Sequence, residues 1–206
     1  MPPFDVILID VGGVLLTNGW DHGERAAAMA HFHLDSAAFE ARHLAPNDAW
    51  ERGVIPLKAY LDTTVFYESR GFSHDEFFAF MLTQSKLLPG GAMGILAELA
   101  ASDQYLLGAL NNEARETNEY RFEKFGLRRF FNVALSSCYL GLRKPDLHIY
   151  KRALDILGRP AERVLFIDDR RENVAGAVAA GMKGICFESA DSLRQELAIL
   201  GVIEGS

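Results

Sequence analysis

The sequence predicts an α/β fold: a parallel β-sheet covered by helices on both faces, with a small helical insertion after the first strand. Three observations carry this. Five short apolar runs lack polar alternation and read as strands buried on both faces. Helical patterns separate the last four of these runs. The stretch from Trp20 to Lys86 has apolar residues at three- and four-residue spacing almost throughout.

In chain order, the first strand is Val6–Ile9; it ends on Asp10, with Gly12 and Gly13 just beyond. Four helical patterns follow: HGERAAAMAHFHL, SAAFEARHL, PLKAYLDTTVFYESRG and SHDEFFAFMLTQSKLL. Ser73 and Glu76 fit a capping box at the start of the last one. Pro89-Gly90-Gly91 punctuates the return to alternation. Tyr105–Leu110, Asn132–Leu135, Val164–Ile167 and Gly184–Phe187 are the remaining strands. Glu113–Phe125, Leu147–Leu157 and Asn173–Ala180 are the helices between them, and Ser192–Leu200 closes the chain. Short right-handed crossovers then give a core of residues 1–19 and 87–206, with residues 20–86 as an insertion over the strand ends. Ligands bind such sheets beyond the carboxyl ends of their strands.

The bulk numbers limit the function classes. At 206 residues, 49% apolar and 24% charged, the chain suits one well-filled core carrying a small insertion. A net charge of -7 without a basic patch argues against a nucleic-acid partner. No apolar run approaches the ~20 residues of a membrane span. The N-terminus lacks the marks of a signal peptide, so the expected location is cytoplasmic. Cys138 and Cys186 have no CxxC spacing and read as free thiols near strand ends. On a helix, His31 and His33 would point to different faces, so they read as surface histidines rather than a metal pair.

Polar residues gather at three strand ends. The first ends in Asp10, the second in Asn111 and Asn112, the fourth in Asp168 and Asp169. Lys144 stands just before a helix that Asp146 is able to cap. In a parallel sheet all of these meet along one edge. Crowded carboxylates need a cation or protonation. Oxygen ligands without His or Cys favour Mg²⁺, which commonly bridges to a substrate phosphate. Lys144 would balance the charge, Asn111 would donate to a phosphoryl oxygen, and Asp10 would attack phosphorus in line to form an aspartyl-phosphate. Each residue also has a plainer reading: Asp10 as a turn cap, the acidic pair as a solvated turn, Lys144 as a surface lysine.

The set resembles the haloacid dehalogenase superfamily, in its phosphatase-like subgroup with a helical cap after the first motif. ILIDVGGVL is similar to the nucleophile motif, LGALNN to the second, GLRKPDLHIYKRAL to the lysine motif, and VLFIDDRRENVAGAVAAGM to the acidic motif. WERGVIPLKAYL is similar to a stretch common in caps of that subgroup. The resemblance spans nearly the whole chain. It implies a Rossmann-like core, Asp10 as nucleophile, and Lys144 with Asn111 and Asn112 at the phosphoryl group. It implies a Mg²⁺ site from Asp10, the Gly12 carbonyl and Asp169. Asp168 would act through the metal's water shell, and Asn173 would hold the acidic loop. The implied substrate is a small phosphorylated metabolite.

Two positions depart from the pattern. Most phosphatases of the family carry a second Asp where Gly12 stands; it protonates the leaving oxygen. Its loss removes help typically worth ~10²–10⁴-fold. Asn111 replaces the usual Ser or Thr. A catalytically weakened phospholigand-binding protein is therefore a second reading, favoured by Gly12. A metal-free 2-haloacid dehalogenase also lacks the second acid, but the Asp168-Asp169 pair argues against it. Asp21 or His22 would replace the missing acid, or Asp21 simply caps a helix start. Arg170 or Arg171 would shape the substrate entrance, or both balance charge beside the acidic pair.

Overall fold

A computed structural model describes residues 2–204. Strands β1 (Val6–Ile9), β2 (Leu106–Ala109), β3 (Val133–Ala134), β4 (Val164–Asp168) and β5 (Lys183–Cys186) form one parallel sheet, ordered β3-β2-β1-β4-β5. Helices α1 (His22–His31), α2 (Ser36–Glu51), α3 (Leu57–Thr64) and α4 (His74–Thr83) follow β1. Next along the chain come α5 (Met93–Ser102), α6 (Arg115–Lys124), α7 (Ser137–Leu140), α8 (Leu147–Leu157), α9 (Arg171–Ala179) and α10 (Ala190–Ile199).

The two-residue period of a strand sends alternate side chains to opposite faces. Ile7, Ile9, Leu165 and Ile167 pack with Leu96 and Leu99 of α5, Phe122 of α6, and Leu193 and Leu197 of α10. Val6, Leu8, Val164 and Phe166 face the other way, onto Ile149 and Tyr150 of α8 and Ala177 of α9. The result is a three-layer sandwich. Central β1 pairs Ile9 with Ala109 on one side and with Ile167 on the other, so its carboxyl end lies at the reversal of strand order.

The insertion holds a cluster of its own, built on Met29, Phe39, Trp50, Tyr60, Leu61, Phe77 and Met81. The Trp50 and Tyr60 rings stack with centroids 4.6 Å apart. Its two connections run side by side: Thr17 N donates to Lys86 O at 2.9 Å, and Leu88 N to Leu15 O at 3.1 Å. Trp50 Nε1 and Leu57 N donate to the two oxygens of Glu116, at 3.0 and 3.1 Å, and seat the insertion on α6.

Several boundaries move from the sequence reading. Helix α2 runs through Pro46 to Glu51, although a proline there removes one helical hydrogen bond. Helix α5 falls in a stretch with no sequence-based assignment. His33 lies beyond the end of α1 with φ of 53°, so it shares no helix with His31. Cys138 sits in α7 just past β3, and Cys186 ends β5. Both cysteines are free, and the Ser73–Glu76 capping box is present as expected.

One buried polar chain crosses the insertion. Trp20 Nε1 donates to Tyr60 Oη at 2.7 Å, and Tyr60 Oη lies 2.9 Å from His43 Nδ1. An indole N–H only donates, so Tyr60 Oη accepts from Trp20 while it pairs with the His43 ring. Burial pushes the His43 imidazole down to about 4, with the Arg25 guanidinium adding to it and Glu40 and Asp21 opposing. From pH 6.5 down to about 4 the unfolded chain therefore binds a proton here that the folded chain refuses. Stability should fall with pH across that window by up to about 1.4 kcal/mol per unit. Thermal melts of the wild type and His43→Gln between pH 7.5 and 4.5 test this, the variant showing the shallower dependence.

Candidate active site

Because β1 and β4 pair in register, Asp10 and Asp168 emerge side by side at the carboxyl edge. Lys144, in the loop before α8, reaches between them: Nζ is 3.0 Å from Asp10 Oδ2 and 2.6 Å from Asp168 Oδ2. Its side chain is 1% exposed. Asn112 clamps the lysine's backbone, accepting from Lys144 N and donating to Lys144 O, both at 2.9 Å. Asp146 caps α8 by accepting from His148 N at 2.9 Å.

Asp168 is fully committed. Oδ1 accepts from Arg170 N and from Asn173 Nδ2, each at 2.9 Å, while Oδ2 takes the lysine. Asp169 is different: its Oδ1 is buried with no partner among the described residues. Carboxylate oxygens of Asp10, Asp168 and Asp169 all lie within 4.8 Å of one another. Three carboxylates against one ammonium leave an excess of negative charge in a buried place. Burial pushes the Asp10 carboxyl up to about 7, Lys144 pulls it down, and Asp168 pushes it up again. Burial and Asp168 also raise Asp169. For Lys144 burial acts downward, but Asp10 and Asp168 outweigh it and hold the ammonium above its usual range.

This all-oxygen donor set with an unpartnered buried carboxylate oxygen fits a hard dication. The Gly12 carbonyl accepts no hydrogen bond among the described residues. Gly13 has φ of 70°, and a Cβ there would overlap the Asp169 carboxylate. The second glycine thus makes room for the acid.

A cavity of about 580 Å³ opens over the cluster. The core contributes Asp10, Gly12, Asn112, Lys144 and Arg170 to its walls, and the insertion contributes Arg25, His43, Asn47, Asp48 and Glu51. Glu51 is held by Arg143 at 2.7 Å; burial pushes its carboxyl up to about 7 while Arg143 opposes. Among the remaining residues singled out from sequence, Asn111 lies buried behind the wall. It donates to Asn118 Oδ1 at 2.9 Å and accepts from Ser136 Oγ at 2.8 Å. Asp21 caps α1 through a capping box with Glu24, and its Oδ2 also pairs with Arg170 at 2.9 Å, joining insertion to core. Arg171 pairs with Glu188 at the surface, and His22 is exposed.

Sequence reasoning missed the buried Arg121–Glu113 ion pair in the same wall. Arg121 also donates to the carbonyls of Thr17 and Asn18, fixing the chain where it enters the insertion. Eight positions separate the pair, so no i,i+4 pattern announces it.

The role of Gly13 is testable. Gly13→Ala should displace the Asp169 carboxylate and weaken Mg²⁺ binding by about 10- to 100-fold, the effect typical of disturbing a ligand's support. Isothermal titration with MgCl₂ reads this without any substrate.

The chain is similar to known proteins over most of its length. It is 33% identical over 153 residues to flavin mononucleotide hydrolase 1 of Arabidopsis thaliana, a match covering 74% of this chain and 61% of that one. It is 29% identical over 89 residues to a glyceraldehyde 3-phosphate phosphatase of Methanothermobacter thermautotrophicus, covering 43% of this chain and 39% of the other. The chain thus spans under two thirds of the length of these curated relatives. A HAD family enzyme from Bacteroides thetaiotaomicron, solved as a magnesium complex, superposes with a TM-score of 0.75 at 19% identity, covering 91% of this chain and 94% of that one. The family model for haloacid dehalogenase-like hydrolases matches residues 4–181, taking in β1, the whole insertion, and the Lys144 and Asp168 segments. This chain belongs to the haloacid dehalogenase-like hydrolase family.

Proposed function

We propose that this protein is a Mg²⁺-dependent phosphatase that cleaves a small phosphorylated metabolite through an aspartyl-phosphate on Asp10. The observation that carries the reading is Lys144, buried and gripped by Asp10 and Asp168 beside an Asp169 oxygen that has no partner among the described residues. A solvated turn would not bury two carboxylates around one ammonium with a third half-buried beside them. Similarity to a flavin mononucleotide hydrolase and a glyceraldehyde 3-phosphate phosphatase supports the same chemistry.

Asp10, Gly12 through its carbonyl, and Asp169 would hold the Mg²⁺. When bound, the ion supplies positive charge that keeps Asp10 ionised and neutralises phosphoryl oxygens. Lys144 adds a second positive charge on the same side. Asp10 then forms a bond to phosphorus as the ester P–O bond breaks, and water later cleaves the acyl phosphate to restore the carboxylate. Asn111 has one amide hydrogen left for a phosphoryl oxygen. Asn112 keeps Lys144 in place, and Asn173 holds Asp168. Residues 20–86 act as a cap that contributes the outer cavity wall and shields the reaction from bulk water.

Gly12 is the feature that favours a weakened, ligand-binding relative instead. The intact Asp10, Lys144 and Asp169 weigh against that reading, because binding alone has no need of a nucleophile. Hydrolysis of p-nitrophenyl phosphate with Mg²⁺ separates the two. Asp10→Asn should lower kcat at least about 10³-fold, and EDTA should abolish turnover until Mg²⁺ is restored. Equal rates for wild type and Asp10→Asn would overturn the assignment.

A further inference from the structure

Beyond the carboxylate cluster, the cavity is lined by charges that already hold one another. Arg25 pairs with Glu40 at 2.8 Å, Arg52 with Asp48 at 3.3 Å and Arg170 with Asp21 at 2.9 Å. Arg121 is locked to Glu113. Arg143 reaches across from the core to two acids of α2: Nη1 lies 3.1 Å from Asp48 Oδ1, and Nη2 lies 2.7 Å from Glu51 Oε2. With Lys144 held by Asp10 and Asp168, every Lys and Arg on the cavity wall has an acid partner. Glu172, on the same wall, has no cation partner among the described residues.

Glu51 shows how little positive charge is left over. Even with Arg143 beside it, burial outweighs the guanidinium and leaves the carboxyl at about 7. Its Oε1 accepts from Asn47 Nδ2 at 3.0 Å. That bond uses the Asn47 amide and leaves Asn47 Oδ1, which has no partner among the described residues. This part of the wall is therefore polar without being positive, and what it offers are acceptors. A hydroxyl donates to such oxygens, whereas a carboxylate or phosphate oxygen only accepts.

Building on the phosphatase reading above, we infer that Asp48, Glu51 and Arg143 select the substrate class: phosphate monoesters whose alcohol is uncharged and hydroxylated, such as polyol and sugar phosphates. With phosphorus at Asp10 and Lys144, the rest of the ester occupies the cavity that α2 closes. A carboxylate or second phosphate there meets no free guanidinium. To be bound it must draw Arg143 away from two acids, which then stay behind uncompensated. A hydroxyl asks for no such exchange.

Two matched pairs of compounds test this: glycerol 3-phosphate against 3-phosphoglycerate, and sorbitol 6-phosphate against 6-phosphogluconate. Within each pair only a hydroxymethyl group becomes a carboxylate. Each compound competes with p-nitrophenyl phosphate at pH 8 with Mg²⁺, so Ki is read whether or not the competitor turns over. The wild type should bind the neutral member of each pair at least about tenfold more tightly. Glu51→Gln frees one side of Arg143 and should narrow that ratio about tenfold, and Asp48→Asn should act the same way. Combining Glu51→Gln with Arg143→Gln removes both charges and should restore the wild-type ratio. A variant that is merely unstable loses rate and leaves the ratio unmoved. An equal or reversed wild-type preference would overturn the assignment alone. So would a ratio unmoved in both single variants, a double variant that keeps the ratio of Glu51→Gln, or no competition by either neutral ester. Hydrolysis of p-nitrophenyl phosphate no faster than by Asp10→Asn would instead overturn the phosphatase reading, and this assignment with it.

Discussion

A buried ammonium between two buried carboxylates governs this molecule. Lys144 meets Asp10 and Asp168 because β1 and β4 are hydrogen-bonded neighbours and because Asn112 pins the loop that carries the lysine. Removing one partner from such a group costs roughly 3–5 kcal/mol, since the others are left buried and unbalanced. Well-packed apolar residues would hold the same sheet together as well or better. The charges are retained for what they do, and the three-layer sandwich is the frame that keeps them together.

Much of this frame was legible in the sequence. Runs such as Val6–Ile9 and Val164–Ile167 are buried on both faces, so their unbroken apolar character identified them. The acids at their ends were conspicuous for the same reason: a charge directly after such a run lies at the sheet edge. The features that escaped depend on tertiary contact. Helix α2 passes through Pro46 because the insertion packs Phe39 and Trp50 from either side of it into one cluster, which outweighs a lost hydrogen bond. Asn111 stands after β2 as expected, but its contacts to Ser136 and Asn118, both well separated from it along the chain, had no sequence signal.

Insertion and core are joined by a set of polar contacts. Glu116 receives Trp50 and Leu57, Arg143 reaches Asp48 and Glu51, and Arg170 reaches Asp21. Polar contacts of this kind are individually weak and exchange readily with water. The tighter hold is at the connections, where Arg121 binds the carbonyls of Thr17 and Asn18 from below. The outer wall of the cavity is therefore anchored most firmly at its root, next to Asp10.

The central position of β1 has a consequence for how the molecule comes apart. Every β1 residue is paired in register on both sides, so its amides exchange with solvent only when the whole sheet opens. Helices α1 to α4 have no such lattice around them and are free to open at lower cost. Local fluctuation of the insertion would leave Asp10, Lys144 and Asp168 assembled. Their geometry lasts as long as the native sheet itself.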